Sequence, residues 1–291
     1  MKKYAMAFLV LCVLLQSAGA EQAGAEMISV HERAVLVAGG QQAYPARLTL
    51  ADETQDEQEL LTALLGEGAV QAEEGLWRED KAGEVWEIRT VRREADGTLR
   101  YSDPWVAGER GAEYEPPKLE RTRGEALELC RTLLSGLLPE ESFAQESGWV
   151  EMLERWNGEE DFLLTDEQYD AFCREMRTMR FQFPPMAGGL PVLDAGVSAT
   201  VGVNGVASLT VDPRSFVPAQ ETAELMPLEE AVALACTTRS APAVLLYAAP
   251  VYSNRVSGSD EYNLSWYLVT NRGSYVVDCV LDRHVCDSWE Y

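Results

Sequence analysis

Apolar positions recur along the chain with two different periods, and each change of period marks an element boundary. Residues 27–37 read as a strand closed by Gly39-Gly40, and residues 48–50 as a second. From 56 to 65, Leu60, Leu61, Leu64 and Leu65 fall on one face at helical spacing. Residues 85–91, where Trp86 and Ile88 alternate with charged neighbours, and residues 98–102 flank Ala95-Asp96-Gly97, a turn sequence that predicts a hairpin. Residues 108–118 are polar, hold Pro116-Pro117 and read as a loop. The clearest helix follows. Thr122 and Glu125 form a capping box, Ala126, Cys130, Leu133, Leu134 and Leu137 its apolar stripe, and Pro139 its stop. Residues 147–156 predict a short helix. Another opens with a second capping box, Thr165 and Gln168, and lines Tyr169, Phe172, Cys173 and Met176 on one face.

Past Pro184-Pro185 the period becomes alternating. Residues 197–203 and 206–211 flank Asn204-Gly205, the strongest short hairpin signal, because both central residues of a type I′ turn need positive φ. Pro227 opens a helix to about 237, with Leu228, Ala231, Val232 and Ala235 inward. Strands are predicted over 244–247, 264–270 and 274–281, and a final one over 284–289. Glu125-Ala126 and Glu230-Ala231 each stand near the start of an amphipathic helix, 105 residues apart. This pattern predicts an α+β fold of two successive units, each an antiparallel sheet covered by helices, over residues 27–160 and 161–291.

Composition narrows the function classes. With 24 Lys+Arg against 48 Asp+Glu the formal charge is −24 and the pI about 4.4. Such a field opposes nucleic-acid backbones and anionic membranes, and no basic stripe offsets it. Met1-Lys2-Lys3, an apolar run from Tyr4 to Leu15 and Ala18-Gly19-Ala20 read as a secretory signal peptide over residues 1–20, with Ala23-Gly24-Ala25 a second cleavage candidate. Cys12 follows Leu11, where a lipidation site would carry a small residue. The run is too short to span a bilayer, and no later stretch is long enough, so no transmembrane segment is expected in the mature chain. The expected location is secreted or extracytoplasmic.

Export permits disulfides, and five cysteines remain: Cys130, Cys173, Cys236, Cys279 and Cys286. None sits in a zinc or Cys-x-x-Cys pattern. If Asp282-Arg283 is a two-residue turn, Cys279 and Cys286 stand opposite each other at disulfide range. Cys130 and Cys173 lie on apolar stripes and can face each other between helices. Buried thiols are the competing reading for all five.

Catalysis has little to work with. His31 and His284 are the only histidines, neither lies in a nucleophile motif, and there is no Gly-x-Ser-x-Gly. His284 and Cys286 share a face if their strand forms. Acidic pairs such as those in Glu159-Glu160-Asp161 read as solvated. The cluster over 52–59 lacks the alternating ligands and central glycine of an EF-hand. Seven tryptophans are scattered without spacing. No catalytic, cofactor-binding or metal-ligating residue is assigned.

The second half has a recognisable order. Gly189-Leu190-Pro191-Val192 precedes a hairpin with a glycine turn. The acidic helix Pro227-Leu228-Glu229-Glu230-Ala231 follows. Then come Trp266-Tyr267-Leu268-Val269, a glycine turn, and Tyr275-Val276-Val277-Asp278. Residues 165–291 thereby resemble the PepSY and FTP-type modules of thermolysin-family propeptides. They are also similar to tandem-module exported proteins of Gram-positive bacteria, including extracytoplasmic regulators of a cell-wall-sensing histidine kinase. Those modules tend to continue Val-Asp with Ala and Thr-Gly; here Asp278 is followed by Cys279-Val280-Leu281-Asp282. The resemblance implies a non-enzymatic module that inhibits, chaperones or regulates a protein partner at the cell envelope. An envelope protein that binds a peptide or glycan is the alternative.

Overall fold

The structure is a computed structural model, and it describes residues 28–39, 43–51, 57–81, 88–107, 117–135, 148–156, 163–212, 214–237 and 242–288. The signal-peptide reading, Trp86, Trp289 and the acidic run 159–161 lie outside them.

The chain opens with β1 (Ile28–Leu36), β2 (Tyr44–Pro45), β3 (Arg47–Leu50) and α1 (Glu57–Leu65). Next come β4 (Val70–Glu73), β5 (Leu76–Arg78), β6 (Thr90–Arg93), β7 (Leu99–Ser102) and α2 (Pro104–Ala107). Three helices follow: α3 (Arg123–Leu134), α4 (Gly148–Arg155) and α5 (Asp166–Glu175). Then β8 (Met179–Phe183), β9 (Met186–Ala187), β10 (Leu190–Pro191), β11 (Val197–Gly202), β12 (Gly205–Val211), β13 (Phe216–Pro218) and β14 (Thr222–Ala223) lead to α6 (Leu228–Cys236). The end is β15 (Ala243–Ser253), β16 (Tyr262–Thr270), β17 (Gly273–Asp278) and β18 (Arg283–Ser288). Both capping boxes form: Thr122 with Glu125 and Thr165 with Gln168 each satisfy two amide groups at a helix start.

The α+β class holds, with two large sheets. One runs β4-β5-β6-β7-β12-β11-β8 and is antiparallel throughout. Its covered face packs on α1, α3 and α5 through Leu60, Leu64, Ala126, Cys130, Tyr169 and Cys173. The other runs β1-β15-β16-β17-β18, with β3 on β16 and β13 on β3; among its described strands β1 alone pairs parallel, and Val192 adds an isolated parallel bridge to Tyr252 of β15. Its central strands β15, β16 and β17 are buried on both faces. Ala231, Val232 and Ala235 of α6 pack on Trp266, Leu268, Tyr275 and Val277. Trp149 and Met152 of α4 pack on Leu246, Tyr267 and Val269 from the other side.

Each sheet takes strands from both sides of residue 160. The two units are therefore not successive along the chain, and the expected division into 27–160 and 161–291 does not follow the strand pairing. Alternation and helical spacing report which face of a segment is buried, not which distant segment lies beside it.

Three local differences have physical reasons. The hairpin turn is Val203-Asn204, one residue earlier than expected, because a register shift after Thr200 pairs Gly202 with Gly205. Phe172 is 42% exposed and stacks on Tyr169, so α5 buries a narrower stripe than its spacing implies. β15 continues past Tyr247 through Pro250 to Ser253. The proline is tolerated because β1 ends opposite Ala248, so its missing N–H faces a position where no ladder bond is due.

Candidate functional site

The predicted cysteine pair is not brought together. β17 ends at Asp278, and β18 pairs with it from Arg283, which sets Cys286 opposite Tyr275 and leaves Cys279 in a four-residue turn. Asp278 decides this register. It is fully buried, and its Oδ2 accepts from Asn263 Nδ2 at 2.8 Å. Its Oδ1 accepts from the amides of Val280 and Leu281 at 2.8 and 2.9 Å. An aspartate that binds its own following amides makes a turn of its own, which displaces the assumed Asp282-Arg283 turn. The Cys279 and Cys286 disulfide is therefore corrected: both are thiols, Cys286 exposed and Cys279 packed beneath α6 and against Leu264, where burial pushes its thiol up to about 11. Cys130 and Cys173 are also thiols, in one core cluster.

His284 and Cys286 do share a face of β18, opposite Val277 and Tyr275. His284 is half-buried, and that burial lowers its pKa. His31 is buried on β1, where its Nδ1 accepts from the amide of Arg33 at 3.0 Å. Neither histidine lines the cleft beside Trp149 or the one beside Arg155. Among the described residues no group of three His, Cys, Asp or Glu side chains could hold a metal ion.

Among the described residues, a buried ionic cluster joins α3, α4 and α5. Arg123 donates to Glu154 Oε2 at 2.7 Å and to the carbonyl of Arg180 at 3.3 Å, and its guanidinium lies 4.5 Å from the Phe181 ring. The Tyr169 hydroxyl donates to the same Glu154 oxygen at 2.5 Å. Burial pushes the Tyr169 pKa far up, so it remains a donor. This cluster ties three helices to β8.

A cleft of about 380 Å³ opens nearby, lined by Arg33, Val35, Glu151, Arg155 and Leu163, and a second, more polar one lies on the open face of the first sheet. On β8, Met179, Phe181 and Phe183 turn to the helices, which sends Gln182 to the other side. The register sets Gln182 opposite Ser198, Ser198 opposite Thr210, and Thr210 opposite Arg100. Short polar side chains in this row leave a cleft of about 260 Å³. Trp149 forms one wall. Its ring is held edge-on by Tyr247 and Tyr267, with centroids 6.0 and 5.4 Å away, and its Nε1 donates to Gln182 Oε1 at 3.0 Å. Asp96 and Thr98, from the β6–β7 turn, and the segment from Asp194 to Gly196 complete the rim.

The rim carboxylates are matched. Arg214 Nε donates to both oxygens of Asp212 at 2.8 and 2.9 Å, Arg255 clamps Asp194 and Asp287, and Asp96 accepts from the Thr98 amide at 3.0 Å, which holds its carboxyl below the usual range. The row itself offers a ligand neutral groups, the Ser198 and Thr210 hydroxyls and the Gln182 amide nitrogen, beside the charged Asp96 carboxylate on the rim. The sequence carries no motif for this row. The alternation of residues 197–211 was the available signal, but only the pairing of three strands assembles it.

No family model matches this chain, and no curated protein matches it. A crystal structure of an uncharacterized protein from Eubacterium rectale is similar at 12% identity, over 85% of this chain and 86% of that one, with a TM-score of 0.42. At that level no property passes from one chain to the other.

Proposed function

We propose that this protein is an exported, non-enzymatic regulatory or inhibitory module that binds a protein partner at the cell envelope. The cleft over Gln182, Ser198 and Thr210 is where an extended segment of that partner docks. One observation carries the reading: a row of short neutral hydrogen-bonding side chains on the open face of a sheet whose other face is covered by helices. Each hydroxyl both donates and accepts and the Gln182 amide nitrogen donates, so the row can pair with backbone carbonyls and amides of an extended peptide laid across the three strands. The leader-like N-terminus and the resemblance of residues 165–291 to propeptide-type modules support the same class. A net charge of −24 favours a cationic partner and salt-sensitive association.

A glycan is the second reading, since hydroxyl and amide groups also pair with sugars. Trp149 is 6% exposed, so it offers an edge rather than an open ring face to the flat side of a sugar.

The test compares the wild-type chain with Ser198→Arg, whose long side chain fills the cleft while pointing away from the core. Wild-type protein captures a defined partner from envelope fractions, and the variant, with an unchanged circular-dichroism spectrum, loses it. Equal capture by both, or no partner above background, refutes the reading. Binding to a glycan array that Ser198→Arg abolishes selects the alternative.

A further inference from the structure

We propose that Cys236 and Cys286 are a modification site: a reversible disulfide that staples the end of α6 to β18, the outermost described strand of the second sheet. Two placements lead to it. The first is the face. Tyr275 and Val277 belong to the core beneath α6, and β18 pairs Cys286 with Tyr275 and His284 with Val277. Cys286 therefore faces the α6 side, whereas Val285, between them, packs toward the α4 side.

The second is the level along the strands. The start of α6 is tied where Trp266 Nε1 donates to the Met226 carbonyl at 2.7 Å, and Trp266 pairs with Val277. The chain leaving α6 re-enters at Ala243, where Val244 N donates to Asn271 Oδ1 at 2.9 Å in the β16–β17 turn. The nine residues of α6 rise ~13 Å, which equals about four strand residues, the span from Val277 back to Gly273. Cys236 thus arrives near the level of Gly273 to Tyr275, and so of Ser288 to Cys286. Some Cα atoms of α6 and β18 lie within 8 Å of each other, and the disulfide requires those of Cys236 and Cys286 to come to ~4.4–6.8 Å, through movement of the last helical turn and the edge strand. Cys279 lies at the opposite end of α6, beneath Met226.

Access sorts the thiols in the same way. Cys130 and Cys173 are fully buried, Cys236 is partly exposed and Cys286 exposed. The oxidant is a small-molecule disulfide of the glutathione class. The Cys286 thiolate attacks one of its sulfurs and one small thiolate leaves. The Cys236 thiolate then attacks Cys286 Sγ in the mixed disulfide, and the second small thiolate leaves. The two cysteines are oxidised, the small disulfide is reduced, and the two protons released go to the leaving thiolates.

Treatment of the full chain with oxidised glutathione, followed by thiol titration and non-reducing peptide mapping, tests this. The titre is expected to fall by two thiols per chain with a peptide linking Cys236 to Cys286. Cys236→Ser should trap glutathione on Cys286, and Cys279→Ser should leave the link intact. Closing the loop raises Tm by ~3 °C or more relative to the reduced chain. Unchanged titre, a Cys279 to Cys286 link, a dimer through Cys286, or glutathione persisting on Cys286 of the wild-type chain each overturns the proposal. None of these outcomes depends on the cleft, so the two readings fail separately.

Discussion

Replacement of Asp278 by alanine removes the residue that sets the C-terminal register. Its carboxylate is fully buried and accepts three hydrogen bonds, from Asn263 Nδ2, Val280 N and Leu281 N. Hydrogen bonds to a charged group contribute about 1.5–3 kcal/mol each, and a buried donor left unsatisfied costs about 1–3 kcal/mol. The losses differ among the three. Val280 and Leu281 are 37% and 43% exposed, so water replaces much of what their amides lose, and each costs about 0.5–1 kcal/mol. Asn263 is 5% exposed, and its orphaned amide costs about 1–3 kcal/mol. The sum is a destabilisation of about 3 kcal/mol, partly offset because a buried charge is also removed. Urea unfolding should show a lower midpoint at unchanged slope. Asp278→Asn keeps an acceptor for the turn amides, and Asn263 can present its own oxygen to the new amide, so that variant should lose only about 1 kcal/mol. A loss below about 1 kcal/mol in Asp278→Ala refutes the claim that this carboxylate holds the turn.

Other expectations follow from single sites. Arg123→Met leaves Glu154 buried opposite no cation and should cost about 3–5 kcal/mol, while adding Glu154→Gln recovers part of the loss; a double-mutant cycle by equilibrium unfolding measures the coupling. Gly196 has φ +85°, and a Cβ there would stand 2.3 Å from the Phe183 carbonyl oxygen, so Gly196→Ala should cost about 3 kcal/mol or more and lower Tm. Burial lowers the His284 pKa, so the unfolded chain binds the proton first. Its contribution to stability is present above about pH 6.5 and is lost as pH falls through the lower folded value. His284→Gln should flatten the acid limb of Tm against pH, and an identical limb in the variant contradicts the assignment.

Most elements were legible because their signals are local. The two capping boxes, the leucine face of α1, the Asp96-Gly97 hairpin and the last three strands all depend on residues a few positions apart, and all form, except that the strand expected over 274–281 stops at Asp278. The extent of β15 was not legible, because a strand buried on both faces loses its alternation. Nor was the exposure of Phe172, which depends on how far its helix is roofed.

The limits have one cause. Propensity, periodicity and capping act over one or two turns, and so the order and kind of elements could be read directly from the residues. Which strands lie side by side is settled by long-range burial. Here that burial threads β4 to β7 and β8, β11 and β12 into one sheet, and β1 and β3 beside β15 to β18 in the other. The row Gln182, Ser198 and Thr210 exists only through that pairing. The separation of Cys279 from Cys286 rests on one buried carboxylate, whose partner Asn263 is 15 residues away. A hydrogen bond across that distance has no period to announce it, and it outweighed the turn that spacing alone favours.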